Sequence, residues 1–267
     1  MKLPKLVELK DSDQKYLYRH DIKEFFGRKS WEKYVYMNRF HTVIDFVRRN
    51  VVKHSAIIDV GCAQGNFSLS LAEIGYKTHG VDLRSNFIAY AKLKTSFEEE
   101  HNVEWIVADA KNLPFQKSSI DCVLLLEILE HTTTPEKMVK EAYRVLKKGG
   151  YLIISTVNQK RIRMSAKSQS YSDFKRNSQK RCRGPSDSTA KGSEHIFEFQ
   201  VVEVQRLLRK FNTKILDIKL VTFLGFRLVL SKLFDHRVLS NLERFIFKVS
   251  YLKEKFAEGF IFFCLKS

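Results

Sequence analysis

The sequence has few cysteines and no long apolar segment. Its 267 residues include four cysteines without a CxxC pair, so we expect neither a disulfide framework nor a zinc ribbon. No apolar run approaches the roughly 18–20 residues that a transmembrane helix requires. The first residues lack the apolar stretch of a secretory signal. We therefore expect a cytoplasmic protein with no transmembrane segment.

Acidic residues are also scarce relative to basic ones. The chain has 47 Lys and Arg against 30 Asp and Glu, a formal net charge of +17. Such an excess favours anionic partners, namely nucleic acid, phosphorylated substrates or an acidic membrane surface, although a lysine-rich host would give the same composition. Residues 159–192 contain ten basic and two acidic residues, many serines and few large apolar side chains. This composition predicts a flexible basic loop.

Strand-like and helix-like segments alternate through the middle of the chain. Short apolar runs rich in Val and Ile lie at residues 56–61, 77–82, 103–108, 120–126 and 150–157. Helical patterns separate them, and connections of this length indicate a parallel sheet with helices on both faces. We therefore expect these strands to be buried on both faces.

The remaining segments complete a single α/β architecture. We predict an N-terminal helical cap (1–53), a cofactor-binding core (54–158), the basic loop (159–192) and a C-terminal part (193–267). The last part would add a helix, a hairpin and helical insertions on the substrate side. The expected fold class is α/β, a doubly wound, seven-stranded and mostly parallel sheet.

A glycine-rich turn follows the first predicted strand, in DVGCAQG (59–65). Gly61 and Gly65 allow a sharp turn and a close approach of a ligand to the backbone. Their spacing is shorter than the GxGxxG pattern that binds a pyrophosphate, and the sequence lacks the Gly-Lys-Ser/Thr of a triphosphate site. Because ligands bind at the carboxyl ends of the strands in open α/β sheets, a nucleotide-type cofactor is expected over this turn.

Three aspartates lie at the ends of the first three predicted strands. Asp82, about 20 residues past the turn, can accept hydrogen bonds from both ribose hydroxyls. Asp109 could accept one from an adenine amine, and Asp59 suits a cofactor that carries a positive group. S-adenosylmethionine has all three features. The alternative is that these aspartates only cap the helices that follow them.

Five segments together identify a family resemblance: DVGCAQG, GVDL, ADAKNLPF, LLEILEH and RVLKKGGYLIISTVN. The sequence resembles the class I S-adenosylmethionine-dependent methyltransferases, in the type 11 branch that contains the ubiquinone-biosynthesis O-methyltransferases. The resemblance implies that S-adenosylmethionine binds at Arg39, Asp59, Gly61, Cys62, Gly65, Asp82, Asp109, Ala110 and Leu126. Within this set it implies that Arg39 binds the cofactor's carboxylate and that Leu126 offers its carbonyl. The family usually has glycine where this chain has Ala63.

The candidate catalytic residues are Glu127, Glu130, His131 and His195. In a helical turn the first three would share one face, so they could form an acid/base cluster or a divalent metal site with His195. The combination resembles the metal-bearing small-RNA 3′-terminal 2′-O-methyltransferases. A histidine base without a metal and a purely structural role stay open, and no residue is assigned as a metal ligand.

The identity of the acceptor depends on the variable segments. The layout after residue 194 would enclose an apolar pocket, which favours a small-molecule or lipid-linked acceptor of the methyl group. RNA, held by the basic loop with Tyr171 and Phe174 stacking on bases, is the alternative. Amphipathic stretches within 225–257 allow peripheral membrane contact, and a non-catalytic binding module is a further hypothesis.

Overall fold

The computed structural model describes residues 15, 18, 19, 21, 31–96, 102–160, 170–180, 195–221 and 257–267. The predicted amphipathic segments within 225–256 and most of the predicted basic loop lie outside these residues. None of the helices in the described ranges is both long and apolar enough to cross a membrane.

Strands and helices alternate along the described chain as predicted. The strands are β1 (Ala56–Val60), β2 (Lys77–Asp82), β3 (Val103–Val107), β4 (Ile120–Leu126), β5 (Leu146–Val157), β6 (Thr213–Val221) and β7 (Gly259–Lys266). The helices are α1 (Trp31–Asn50), α2 (Asn66–Glu73), α3 (Ser85–Thr95), α4 (Pro135–Val145), α5 (Tyr171–Lys180) and α6 (Val201–Arg209). A single 3-10 turn covers Leu129–His131.

The strands form one seven-stranded sheet in the order β3-β2-β1-β4-β5-β7-β6. Strands β1 to β5 pair in parallel, whereas β7 runs antiparallel to both β5 and β6. The predicted doubly wound, seven-stranded and mostly parallel sheet is therefore confirmed. The chain winds outward in opposite directions from β1 and β4, and the crevice at such a reversal is where open α/β sheets bind ligands.

The sheet buries one apolar layer on each face, because successive side chains of a strand point to opposite sides. On β1, Ile58 faces the layer covered by α4 and α6, and Ile57 faces the layer covered by α1 and α2. Helix α1 contributes the fully buried Val43 and Val47 to the second layer. Fully burying each such side chain contributes about 1.5–3 kcal/mol, so α1 is part of the main core.

Strand β3 differs from the prediction of strands buried on both faces. It is an edge strand, and its side chains are half-buried or exposed. The apolar run of a strand shows that one face is covered, but the sequence does not show whether a further strand lies beside it.

Part of the predicted basic loop is helical, so that prediction is wrong for residues 171–180. The Ser170 Oγ accepts a hydrogen bond from the Asp173 N–H (3.1 Å) and donates to the Asp173 carboxylate (2.9 Å), a reciprocal helix cap. Tyr171 is buried against Phe197 and Phe199, with ring centroids 4.8 and 5.0 Å away. This tyrosine is therefore unavailable for stacking on RNA bases.

Candidate functional site

The turn after β1 requires its glycines. Gly61, Ala63 and Gly65 all have positive φ angles, of 74°, 47° and 76°. A Cβ at Gly65 would clash with the ring of Trp105, and a Cβ at Gly61 would clash with the side chain of Ile128. Ala63 adopts the left-handed conformation without glycine, so the departure from the family pattern at this position leaves the turn intact.

Asp82 accepts hydrogen bonds from the backbone of the turn after β1 and from the backbone that follows β2. One carboxylate oxygen accepts a hydrogen bond from the Ala63 N–H (3.0 Å), and the other accepts one from the Arg84 N–H (2.9 Å). Burial raises the pKa of Asp82. Two apolar side chains near it are half-exposed: Leu83 (53%) and Val107 (52%), which is paired with Asp82 in the sheet. An acceptor beside exposed apolar surface suits an adenosine, and the sequence argument missed both apolar residues.

Asp59 and Cys62 lie beneath the turn and are both buried. Asp59 accepts a hydrogen bond from the Ser68 hydroxyl at 2.8 Å. Burial raises the pKa of Asp59 to about 6. Burial, together with the charges of Asp59 and Asp82, also raises the pKa of the Cys62 thiol. A buried thiol with a raised pKa is a poor nucleophile, so Cys62 contributes packing and backbone.

Three further predicted cofactor residues follow β3 or end β4, two strands that β2 and β1 separate in the sheet. Asp109 follows β3, accepts a hydrogen bond from the Lys111 N–H (2.9 Å) and keeps 41% of its side chain exposed. Ala110, next to it, and Leu126, the last residue of β4, are buried. An exposed carboxylate of this kind can accept a hydrogen bond from a ligand amine.

Arg39, on α1, reaches the end of β4. Its Nη1 lies 3.2 Å from a carboxylate oxygen of Glu127. Its buried Nε has no hydrogen-bond partner among the described residues, and a buried donor without an acceptor costs about 1–3 kcal/mol. The carboxylate of an amino-acid ligand would satisfy that donor. The residues around the turn therefore fit S-adenosylmethionine, from the adenosine side to the amino-acid tail.

Glu127 does not lie on a helical turn with His131, so the predicted arrangement is wrong. Glu127 has a positive φ of 51°. Its N–H donates to the Ser155 carbonyl (3.0 Å), and its carboxylate accepts from the Ser155 hydroxyl (2.9 Å). Glu127 thus extends the pairing of β4 with β5, and only Leu129–His131 turns as a 3-10 helix.

Three of the four predicted catalytic residues do converge. Ligand atoms of Glu130, His131 and His195 all lie within 4.8 Å of one another. The two imidazole rings are 5.0 Å apart, and the Ile196 N–H donates to the Glu130 carbonyl at 2.9 Å. This backbone hydrogen bond brings the chain after the basic segment beside β4, which places His195 at the carboxyl edge of the sheet.

The pKa values of Glu130 and His195 in this cluster are both raised, the first by burial and the second by a neighbouring carboxylate. Glu130 is fully buried and accepts a hydrogen bond from the Thr156 hydroxyl at 3.0 Å. Burial and the nearby Glu127 carboxylate raise the pKa of Glu130 to about 8. A hydrogen bond between the His195 Nδ1 and the Glu198 carboxylate (3.4 Å) raises the pKa of His195. Glu198 lies three residues after His195 and was not among the catalytic residues predicted from the sequence.

The donor set also fits a divalent metal ion. Two imidazoles and one carboxylate are ligands that zinc and similar ions accept, and the buried Glu130 Oε1 has no hydrogen-bond partner among the described residues. Glu130, His131 and His195 would hold such an ion. Because burial raises the pKa of Glu130, a metal ion would compete with the proton of this carboxyl group, and its binding would strengthen as the pH rises.

Residues 58–154 match a family model described as a methyltransferase domain. Over this part of its length the chain is similar to methyltransferase domains. This finding confirms the resemblance to the class I methyltransferases, whose methyl donor is S-adenosylmethionine.

The methyltransferase domain is also the part of the chain shared with curated relatives. A ubiquinone biosynthesis O-methyltransferase of Coxiella burnetii is 32% identical over 108 residues, covering 40% of this chain and 46% of the relative. Its counterpart in Xanthomonas oryzae is 33% identical over 104 residues, covering 39% and 43%. The match thus spans less than half the length of these curated relatives.

Solved structures show the same fold over most of the chain. A protein from Pyrococcus horikoshii has a TM-score of 0.60 at 18% identity and covers 94% of this chain and 99% of its own. Magnesium protoporphyrin IX methyltransferase from Synechocystis, solved with S-adenosylhomocysteine, has a TM-score of 0.58 at 14% identity and covers 96% and 100%. At such identities these likenesses describe the fold alone.

Proposed function

We propose that this protein transfers a methyl group from S-adenosylmethionine to an oxygen of a small-molecule or lipid-linked acceptor. The observation that carries the proposal is the contact of Ile128 with Gly61, implied by the clash that a Cβ at Gly61 would make. This contact places the segment of Glu127 to His131 directly against the cofactor turn. The cluster of Glu130, His131 and His195 is therefore adjacent to the region where the cofactor is expected.

The cofactor would bind across the carboxyl ends of β1, β2 and β3. In the proposal, Asp82 accepts from the ribose hydroxyls, Asp109 from the adenine amine, and Arg39 binds the carboxylate. Gly61 and Gly65 adopt the positive φ angles of the turn, over which the methionine part of the cofactor would lie. When bound, S-adenosylmethionine supplies a methyl group on a sulfonium, which is already a reactive electrophile.

The protein's own residues then orient the acceptor and remove its proton. Orientation of two reacting groups contributes several kcal/mol to a barrier reduction, and a general base activates a hydroxyl. His195 fits the role of base, since Glu198 can accept a hydrogen bond from its Nδ1–H. That tautomer leaves Nε2 free to take the acceptor's proton, and Glu198 would stabilise the imidazolium that forms.

The class of acceptor is inferred from the relatives and from the charges near the site. The relatives are named as ubiquinone biosynthesis O-methyltransferases, which favours a small-molecule or lipid-linked acceptor. Helix α5 begins beside Glu198, since the Tyr171 N–H donates to the Glu198 carbonyl at 3.1 Å. Two of its cations, Lys175 and Arg176, are paired with Glu136 and Asp173. These ion pairs weaken the case for RNA.

The cellular location is part of the same proposal. The three described cysteines, Cys62, Cys122 and Cys264, are free and buried thiols. Free thiols are typical of reducing compartments, so we place the reaction in the cytoplasm.

The decisive experiment is transfer of labelled methyl from S-adenosylmethionine to a host extract. The products would be separated into lipid, small-molecule, RNA and protein fractions. Label in the lipid or small-molecule fraction is the expected result, and label in RNA would replace the proposed acceptor. Cofactor binding without any transfer would favour the non-catalytic hypothesis.

A chelation series tests the role of a metal. Turnover that is lost in EDTA and restored by magnesium or zinc would assign Glu130, His131 and His195 as metal ligands. Turnover unaffected by EDTA would assign the proton transfer to a histidine base alone.

A further inference from the structure

A buried charged network lies directly behind the cofactor turn. The Lys94 ammonium group, on α3, donates hydrogen bonds to the Asp21 carboxylate (3.1 Å) and to the Asn66 side-chain carbonyl (2.6 Å). The Asn66 amide and the Tyr90 hydroxyl each donate to the Asp21 carboxylate at 2.8 Å. All four side chains are buried, and the ion pair is fully excluded from solvent.

This network joins three separate parts of the chain at the turn. Asn66 is the first residue of α2 and directly follows Gly65. Tyr18 belongs, like Asp21, to the N-terminal segment, by which we mean the described residues 15, 18, 19 and 21. Tyr18 packs against Phe87 and Tyr90, and Ala63 of the turn packs against the same two residues. Asp21 therefore ties the N-terminal segment to the wall of the cofactor site.

The charge of Lys94 acts on the turn itself. It is one of the groups that influence the pKa of the Cys62 thiol, which it lowers against the larger effect of burial. Charges interact more strongly in a protein interior than in water. The balance between Lys94 and Asp21 therefore affects any charged group that binds over the turn.

Stability alone is a weak reason for such a network. Replacing a buried ion pair by apolar side chains of similar volume is often neutral or stabilising, whereas removing one partner leaves an uncompensated charge. A buried ion pair does, however, require one arrangement of the groups around it. The expected benefit is thus a defined placement of the N-terminal segment and a balanced charge behind the turn.

We propose that Asp21 and Lys94 are positioning residues for S-adenosylmethionine, with two effects. Asp21 holds the N-terminal segment against the turn, and it offsets the Lys94 charge so that a sulfonium can bind nearby. The inference rests on the proposed function, since it requires S-adenosylmethionine to bind over the turn.

The two forms of the cofactor separate this role from a structural one. S-adenosylmethionine carries a sulfonium charge, and S-adenosylhomocysteine lacks it. If the N-terminal segment loosens, the dissociation constants of both ligands rise by the same factor. An unbalanced charge instead changes the ratio of the two constants. We would measure both constants by calorimetry for the full chain, for Asp21→Asn, for Lys94→Met and for the double variant.

Asp21→Asn should raise the Kd of S-adenosylmethionine about tenfold and that of S-adenosylhomocysteine about threefold. The ratio of the two constants would then change about threefold, which is roughly half of the 1.4 kcal/mol that corresponds to a factor of ten. Lys94→Met should shift the ratio of the two constants in the opposite direction, because it leaves the Asp21 charge in excess. The double variant should restore the wild-type ratio while binding both ligands more weakly.

Asp121→Asn is the matched control, because Asp121 pairs with Lys147 (2.7 Å) at the start of β4, at the opposite end of the strands. It should leave both constants unchanged. Equal changes for the two ligands in every variant, or no change, would overturn the proposal. If the wild-type protein bound neither ligand, the proposed function would fail instead. Should Asp21→Asn fail to fold, Lys94→Met still tests the direction of the ratio.

Discussion

Replacing Asp82 with alanine tests the cofactor site most directly. The carboxylate accepts hydrogen bonds from the Ala63 and Arg84 N–H groups, and in the proposed complex it also accepts from two ribose hydroxyls. A hydrogen bond to a charged group contributes about 1.5–3 kcal/mol, so two contribute roughly 3–6 kcal/mol. Because 1.4 kcal/mol is a factor of ten, Asp82→Ala should raise the Kd of S-adenosylhomocysteine roughly 10²–10⁴-fold.

Calorimetric titration with S-adenosylhomocysteine measures this loss, and thermal unfolding shows whether the variant is folded. Asp82→Asn keeps one acceptor oxygen and should lose less affinity than Asp82→Ala. Asp217→Ala is the control, since this aspartate is exposed on β6, where its carboxylate contacts Lys219 (3.0 Å) and the Ile218 N–H (2.8 Å). A folded Asp82→Ala protein with a Kd within about threefold of wild type would refute the assignment of Asp82 to the ribose.

Three further predictions concern the cluster beside the turn. His195→Ala should abolish turnover and leave the Kd of S-adenosylhomocysteine unchanged; equal loss of both would make His195 a binding residue. Glu198→Gln removes the negative charge of the carboxylate that raises the pKa of His195, so the loss of turnover on acidification should move to lower pH. An unmoved pH profile would exclude His195 as the base.

Because folding raises the pKa of Glu130 from 4.5 to about 8, the folded state binds this proton more tightly than the unfolded state. The wild type should therefore lose stability as the pH rises through this window. Glu130→Gln should remove that loss, as measured by urea unfolding at about pH 5 and about pH 8.5. Parallel pH dependences in the two proteins would contradict the buried, protonated carboxyl group.

Much of the fold was predictable because its signals are local. The bounds of β2 and β4 agree with the predicted runs, and β5 differs from its predicted run by starting at Leu146. Each run is rich in apolar residues and is bounded by a glycine, a charged residue or a helical pattern. The turn at Gly61 and Gly65 was predicted for the same reason, since only a few residue types adopt its backbone conformation.

The site was predictable only in part, because its side chains are brought together by backbone that does not follow the expected pattern. Glu127 has a positive φ, and its carboxylate contacts Arg39 and Ser155. Helix α5 formed within a segment whose charge and serine content favoured a loop. The burial of Tyr171 in this helix depends on Phe197 and Phe199, which lie more than twenty residues further along the chain.

The sequence by itself determined the alternation of strands and helices, the glycine turn and the acidic residues at successive strand ends. These properties depend on neighbouring residues, so periodicity and residue type are sufficient to reveal them. Tertiary structure alone decided that His195 meets His131, that Arg39 faces Glu127 and that Asp21 pairs with Lys94. Each of these contacts joins residues distant along the chain, and only the packing of the sheet and its helices brings their charges within reach of one another.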